Sequence, residues 1–484
     1  MERYKILPEE GIEAIHENSL RIMKEIGIVM PYDHAKELLA ANGCTVEGDL
    51  VKFPREVVEA AIESAPSSYM LHGRDEAKNV PISCERSAYA GPYGSPFVLD
   101  LDNGWRRSTM QDFINIVKIV DKCDYIDIQS HISCEPGDIE EKKRPLEMVY
   151  NTMRNSGKPL MASIYGYENA MRSIELASIP FGGLEAIKEK PIVASIPCTL
   201  TPLSYDPDQL GAIRAYAETG QVQLINSLSI AGMTTPCTLA GLVSVQNAEV
   251  LAGIVYAQLV NPGCPVVYSA SGSNGDMASG LLSIGSPEDH VVSLINGQLT
   301  KKYQIPCRIS GALSDSKMLD VQAAYESAIT IMAAQMAGGN FILHAAGIID
   351  TYNCTSYEKL ITDNEVLGYL RRIDRGVSFD EESLAFEVVE EVGPQGTFLA
   401  EDHTFEHFRD EFYAPTLSER AAYDRWVENG SKSAEQRANE KWKKILADNP
   451  EPCIDSALDA EMAAYVKKYN GYKCFKVRLT SICI

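Results

Sequence analysis

The sequence predicts an α/β protein: a (β/α)8 TIM barrel with an N-terminal α/β cap and a C-terminal helical extension. Three observations carry that prediction. Short apolar runs rich in Val, Ile and Ala recur through the middle of the chain, each followed by a helix-patterned stretch, which is the mark of parallel βαβ units. Seven such runs in series suit a closed barrel better than an open sheet. The chain's 484 residues, 45% of them hydrophobic, are enough for one large core with appendages.

Residues 1–85 form the expected cap. Ile12, Ile15, Leu20, Met23 and Ile26 recur at helical spacing. The run CTVEGDLVKFP predicts a hairpin turning at Glu47-Gly48-Asp49. Pro54 suits the start of a second helix, which Ala65-Pro66 ends. Residues 86–372 hold the barrel, with strands at YIDIQSHI, KPLMASIYG, KPIVASIPCTL, VQLINSLSIAG, CPVVYSASGS, PCRISGAL and NFILHAAGII. The eighth strand falls either in SAYAGPYGSPFVLD or just after Arg372. Residues 373–484 are more charged and mostly helical, clearest in WVENG and SKSAEQRANEKWKKIL.

Charge and cysteine usage exclude several classes. A net charge of −23 repels phosphate surfaces, so neither nucleic acid nor an anionic membrane is expected as a partner. The opening MERYKILPEEGIEAI has no basic n-region or apolar h-region, so no signal peptide is expected. The apolar stretch from Leu239 to Val260 carries Gln246, Asn247, Glu249 and Gln258, too polar for a lipid-facing span. The 12 cysteines are scattered singly without a C-x-x-C pair, reading as free thiols in a reducing cytoplasm.

Several polar residues stand where apolar ones are expected. Strand period two puts Arg308, Ser310 and Ala312 on one face of their strand, and Ile342, His344 and Ala346 on one face of the next. At the solvated end of a barrel such residues build active sites. The plainer alternatives are a structural Arg308 tying down a carboxylate and a satisfied core histidine at 344. Other strand ends are small and hydroxyl-rich: Ser195, Thr199 and Thr201; Ser227 and Ser229; Ser269, Ser271 and Ser273. Tyr89, Tyr93 and Phe97, with Tyr165 and Tyr167, form an aromatic set suited to a quaternary ammonium through cation–π attraction, with core packing as the competing explanation.

His403-Thr404-Phe405-Glu406-His407 matches the H-x-x-E-H zinc pattern. Phe405, Phe408 and Phe412 run through the same segment as an apolar stripe, and no third ligand is evident, so a packing helix is expected and no metal. No Gly-rich nucleotide loop occurs, and no D-x-H-x-x-G cobalamin-ligand motif.

The chain resembles the trimethylamine:corrinoid methyltransferase family. The pattern Phe53-Pro54, Val57-Val58, Ala65-Pro66 and Arg74-Asp75 is similar to the family's cap. The turn Ser314-Asp315-Ser316-Lys317 with Asp320 and Gln322 is similar to its barrel signature. His407-Phe408-Arg409, Glu411 and Pro415 match near the C-terminus. The family's trimethylamine enzymes use pyrrolysine, which this sequence lacks. The resemblance therefore implies the branch acting on quaternary amines such as glycine betaine, proline betaine or carnitine.

In that branch the methyl acceptor is Co(I) of a separate, cognate corrinoid protein, so no cofactor is expected on this chain. The substrate's carboxylate needs a positive or hydroxyl-rich partner, for which Arg308 is the choice because a guanidinium can bind it bidentately. Ser310, Ser229, Asp315, Tyr89, Tyr93, Phe97 and Tyr165 complete the expected binding set. His344 is the expected catalytic residue, beside the substrate or the docked corrinoid. A homo-oligomer in the cytoplasm is expected. Two other readings stay open: a Schiff-base lyase or aldolase using Lys317, and a non-catalytic quaternary-amine binding protein.

Overall fold

Eight short parallel strands close into a barrel in the computed structural model, which describes residues 4–470. They are β1 (Ala88–Tyr89), β2 (residues 128–129), β3 (Leu160–Met161), β4 (Val193–Ser195), β5 (Val222–Ala231), β6 (Val266–Asn274), β7 (Cys307–Ser310) and β8 (Phe341–Leu343). Parallel ladders run from β3 through β8 and on to β1. Two isolated parallel bridges, Ala90 to Ile128 and Gln129 to Leu160, complete the ring through β2. The eighth strand is thus the start of SAYAGPYGSPFVLD. Its later residues, Phe97–Asp100, leave the barrel for a four-stranded sheet with Gly104–Arg107, Ile348–Ile349 and Cys354–Ser356. That sheet is built from the segments after β1 and β8, and so stands at the strands' C-terminal end.

A helix follows every strand, and several carry their start signals in sequence. Thr109 and Asp112 form a reciprocal capping box on Met110–Lys122, and Asp320 caps Val321–Met336 by accepting from the Ala323 N–H. Alternate residues then separate the two sides of the wall. Ala88, Met161, Ala194, Val222, Leu224, Val267, Phe341 and Leu343 pack together in the lumen. Ile225, Tyr268, Ile309 and Ile342 face the surrounding helices. The hairpin Ser68–Leu71 with Val80–Ser83 contributes Leu71, Val80 and Ile82 to the lumen cluster, and so plugs the barrel at the strands' N-terminal end.

The N-terminal elements share a core with Leu239–Val260, whose apolar surface is covered by Ile12, Ile15, Leu20 and Met23 on one side and by β5 and β6 on the other. This helix is long and apolar enough to cross a membrane, and most of it is buried inside the protein. Ile26 departs from the expected apolar stripe and is exposed: the chain makes a π-turn over Ile22–Ile26, which rotates the register. The predicted hairpin forms between Thr45–Glu47 and Leu50–Lys52.

At the other end, Trp442 of Ala434–Asp448 lies against Tyr357 and donates to Glu358 at 2.9 Å. Met462 and Val466 of Ser456–Asn470 pack on Met153 and Ile174. The Phe405 stripe corrects its expectation: Phe405 is 65% and Phe412 66% exposed, because Asp402–Glu411 lies on the surface rather than under another layer.

Candidate active site

Arg308 enters the lumen from β7 because it alternates with Cys307 and Ile309, which face the helices. It is 2% exposed. Its Nη1 donates to Ser271 Oγ on β6 and, at 3.5 Å, to Asn226 Oδ1 on β5. Its Nη2 donates to His344 Nδ1 at 3.0 Å. Asn226 also accepts from Ser269 Oγ at 2.8 Å, and Ser310 Oγ lies 3.1 Å from Ser271 Oγ. The Nε of Arg308 is buried without a hydrogen-bond partner, and no carboxylate among the described residues forms an ion pair with this guanidinium.

His344 reaches the same place by a different route. Strand parity would set it with Ile342, which packs outward. The chain instead leaves β8 at Leu343 and His344 takes a φ of +59°, turning its ring over the lumen. A left-handed backbone at a non-glycine residue costs of order 1–3 kcal/mol and gathers at functional sites. A guanidinium only donates, so Nδ1 accepts from it and Nε2 carries the proton, donated to the Tyr93 carbonyl at 3.1 Å. Burial and the adjacent Arg308 charge both push the imidazole well below its usual range, so the ring is neutral.

Three more left-handed residues follow in a row: Asp350, Thr351 and Tyr352 at φ +53°, +51° and +68°. They bring the Tyr352 ring centroid to 4.9 Å from that of His344 and its hydroxyl to 3.4 Å from Ser310 Oγ. Tyr93 also meets the cluster, edge-on to His344 at 6.2 Å. Burial raises the Tyr352 and Tyr165 phenols to about 12, so both stay protonated.

The expected site residues therefore divide. Arg308, Ser310, His344 and Tyr93 converge. Tyr165 caps the helix after β3, half-buried, and its surroundings include Glu135, Arg144 and Cys198. Asp315 is committed to structure: it accepts from Ile284 N, Gly285 N and Thr351 Oγ1, tying together the segments after β6, β7 and β8.

Three expectations are corrected. Tyr89 alternates with the lumen residues Ala88 and Ala90, so its ring faces the helices, under the Arg371 guanidinium, and its hydroxyl donates to Gln335. Ser229 shares the outer face of β5 with Ser227, which donates to Glu249 of the helix behind it. Phe97 stacks on Trp105 at 3.9 Å in the rim sheet rather than on a ring of the Arg308 cluster.

Sequence reasoning missed Asn226, Tyr352 and Asp289. Asn226 was legible in principle, since it shares parity with the apolar lumen residues Val222 and Leu224. Asp289 lies in the first turn of Pro287–Tyr303 and is 5% exposed; burial lifts its carboxyl to about 7 against the opposing pull of Arg308. His131, just past β2, is also buried, with no partner on either ring nitrogen, and burial depresses it to about 3.

Lys317 is mostly exposed, paired with Asp350 at 3.3 Å and donating to the Asp315 carbonyl. That is the reverse of the desolvated setting a Schiff-base amine needs. The buried lysines among the described residues are committed elsewhere, Lys158 to three carbonyls and Lys359 to Asp363. The His403 and His407 rings lie with centroids 4.3 Å apart, tilted by 43°, and His407 lies 3.6 Å from Glu382.

A closed barrel with a polar cluster at the C-terminal ends of β5 to β8 defines a TIM-barrel enzyme. The family model for trimethylamine methyltransferase (MTTB) matches residues 1–471, and the chain belongs to that family; it is a methyltransferase. A glycine betaine methyltransferase of Desulfitobacterium hafniense (strain Y51) is 44% identical over 96% of this chain and 97% of its own. A proline betaine:corrinoid methyltransferase of Eubacterium limosum is 30% identical over 86% and 88%. The crystal structure of the Methanosarcina barkeri monomethylamine methyltransferase superposes with a TM-score of 0.51 over 92% of this chain and 93% of its own, at 12% identity, a likeness of fold.

Proposed function

We propose that this enzyme moves a methyl group from a betaine-type quaternary amine to Co(I) of a separate corrinoid protein. One observation carries the reading: the buried Arg308 guanidinium is surrounded by neutral partners (Ser271, Asn226, neutral His344) and has no carboxylate in contact among the described residues. A buried charge is normally paired. A substrate carboxylate would supply the missing anion, and a guanidinium with an unused Nε–H offers it a directed bond. The 44% identical relative, named a glycine betaine methyltransferase, makes glycine betaine the first member of the class to test.

The chain's own residues would bind and orient. Tyr93 and Tyr352 would offer ring faces beside the carboxylate position, suited to a poorly hydrated cation. No acid is needed to expel the product, because a quaternary nitrogen leaves as a neutral tertiary amine. That agrees with a neutral His344, which would fix Arg308 and the substrate rather than donate a proton. Orientation then supplies the rate, since the methyl must point in line at the acceptor.

The acceptor would approach the barrel mouth, where Met233, Met277, Leu281 and Met318 stand exposed on the segments after β5, β6 and β7. Flexible thioethers suit a docking surface for another protein. The corrinoid belongs to that partner, and this chain would carry no cofactor of its own in the cytoplasm. The test is turnover with the reduced corrinoid protein. Glycine betaine should lose one methyl group per turnover and give dimethylglycine, while trimethylamine should remain. Efficient trimethylamine demethylation would overturn the proposal.

A further inference from the structure

We infer that Asp289 is the counter-charge to the substrate's cationic nitrogen, so that Arg308 and Asp289 form two opposite poles that select a zwitterion. The inference rests on the betaine reading above and adds a residue and a selectivity to it.

Nine Asp and Glu side chains are buried among the described residues: Asp100, Asp112, Asp121, Glu249, Asp289, Glu326, Glu358, Asp363 and Glu365. Eight accept hydrogen bonds from the protein. Asp289 accepts none. Its position makes that unusual, because an acid at the third residue of a helix ordinarily reaches back to the N-cap amide. Here the helix has no side-chain cap bond, and the Asp289 carboxyl is turned into the protein.

Its helix starts at the C-terminal end of the barrel strands: the N-cap Ser286 has its Oγ 2.7 Å from Ser273 Oγ near the end of β6. The charged and titratable groups acting on Asp289 are Arg308 from β7, Asp315 from the turn after β7, and Tyr352 from the segment after β8. Asp315 is held by its three donors. Glu326, on the neighbouring helix, is held by Ser314 Oγ, the Asp315 N–H and Gln322. Arg308 and Asp289 therefore remain as a buried cation without a carboxylate and a buried carboxyl without a donor. They attract one another but stand farther apart than an ion pair. A quaternary ammonium has no N–H, so it needs a nearby negative charge rather than a hydrogen-bond acceptor, and Asp289 has that form.

The raised carboxyl also has a use. Near neutrality Asp289 is partly protonated, and a bound cation draws it into the ionised form with release of a proton. When the methyl group leaves, the nitrogen loses its charge and Asp289 regains a proton from solvent, so no buried anion is stranded.

The test compares two ligands in calorimetry without corrinoid: glycine betaine and 3,3-dimethylbutyrate, its carbon isostere, which keeps the carboxylate and shape but lacks the positive charge. Wild-type protein should prefer the betaine by roughly tenfold or more, the size of one charge–charge or cation–π contact in a desolvated site. Asp289→Asn should cut that preference severalfold or more, leaving only the share the Tyr93 and Tyr352 rings supply, by weakening betaine binding while dimethylbutyrate binds as well as before or better. An equal loss for both ligands would mark Asp289 as structural and overturn the inference, as would an unchanged preference. A second readout needs no variant: betaine binding to wild-type protein should release protons near pH 7, measured in buffers of different ionisation enthalpy, and the preference should grow as pH rises through about 7. A flat preference across that range would refute the assignment. Failure of wild-type protein to bind betaine at all would instead remove the proposed function on which it stands.

Discussion

Replacing Arg308 by alanine is the perturbation that most directly probes the proposed site. The guanidinium holds Ser271, Asn226 and His344 through Nη1 and Nη2, which leaves its Nε–H unused. A betaine carboxylate bound there makes charge-assisted bonds, each worth about 1.5–3 kcal/mol, so Arg308→Ala should weaken betaine roughly tenfold to hundredfold. The same change strips His344 Nδ1 of its donor, and an orphaned buried acceptor costs about 1–3 kcal/mol of stability. Thermal unfolding measured beside calorimetry separates the two effects. Arg308→Lys keeps the charge but not the planar fork, and should recover only part of the affinity. A folded Arg308→Ala protein with unchanged betaine affinity would take Arg308 out of the substrate site.

Three shorter predictions follow from the same geometry. His344→Ala should weaken betaine binding as well as lower turnover with the corrinoid protein, because the ring holds Arg308 Nη2; unchanged betaine affinity would separate His344 from the carboxylate site. Lys317→Ala should retain methyl transfer, and borohydride should trap no substrate adduct, since Lys317 is exposed and paired with Asp350. His131 should make the fold acid-sensitive. It is buried neutral with a pKa of about 3 while the unfolded chain titrates near 6.5, so the unfolded state binds the extra proton between those values and stability falls as pH drops through that window. Going from pH 6.5 to 5 should cost about 1.6 kcal/mol, and His131→Phe should flatten the slope in denaturant titrations; an equally steep slope in the variant would place the effect elsewhere.

What the sequence determined by itself was the architecture and the chemistry-bearing strand. Alternating strand and helix patterns specify a barrel because each pattern needs the other to bury its apolar side. Arg308 was legible because period two places it on the face opposite Cys307 and Ile309, where a charge is conspicuous. Tertiary structure decided which polar residues share the lumen with it. Ser229 and Asn226 lie three residues apart on β5, and the barrel wall sends one toward Glu249 and the other toward Arg308. His344 reaches the cluster only because its backbone turns left-handed at the end of β8, a geometry that period counting assigns to the wrong side. Asp289 lies on a helix with ordinary N-terminal acidity, and only the tertiary structure buries its carboxyl and brings it within electrostatic reach of Arg308. Local patterns fix which side of an element is apolar. Which polar groups meet depends on closing the barrel, because that closure alone sets distances between residues far apart in the chain.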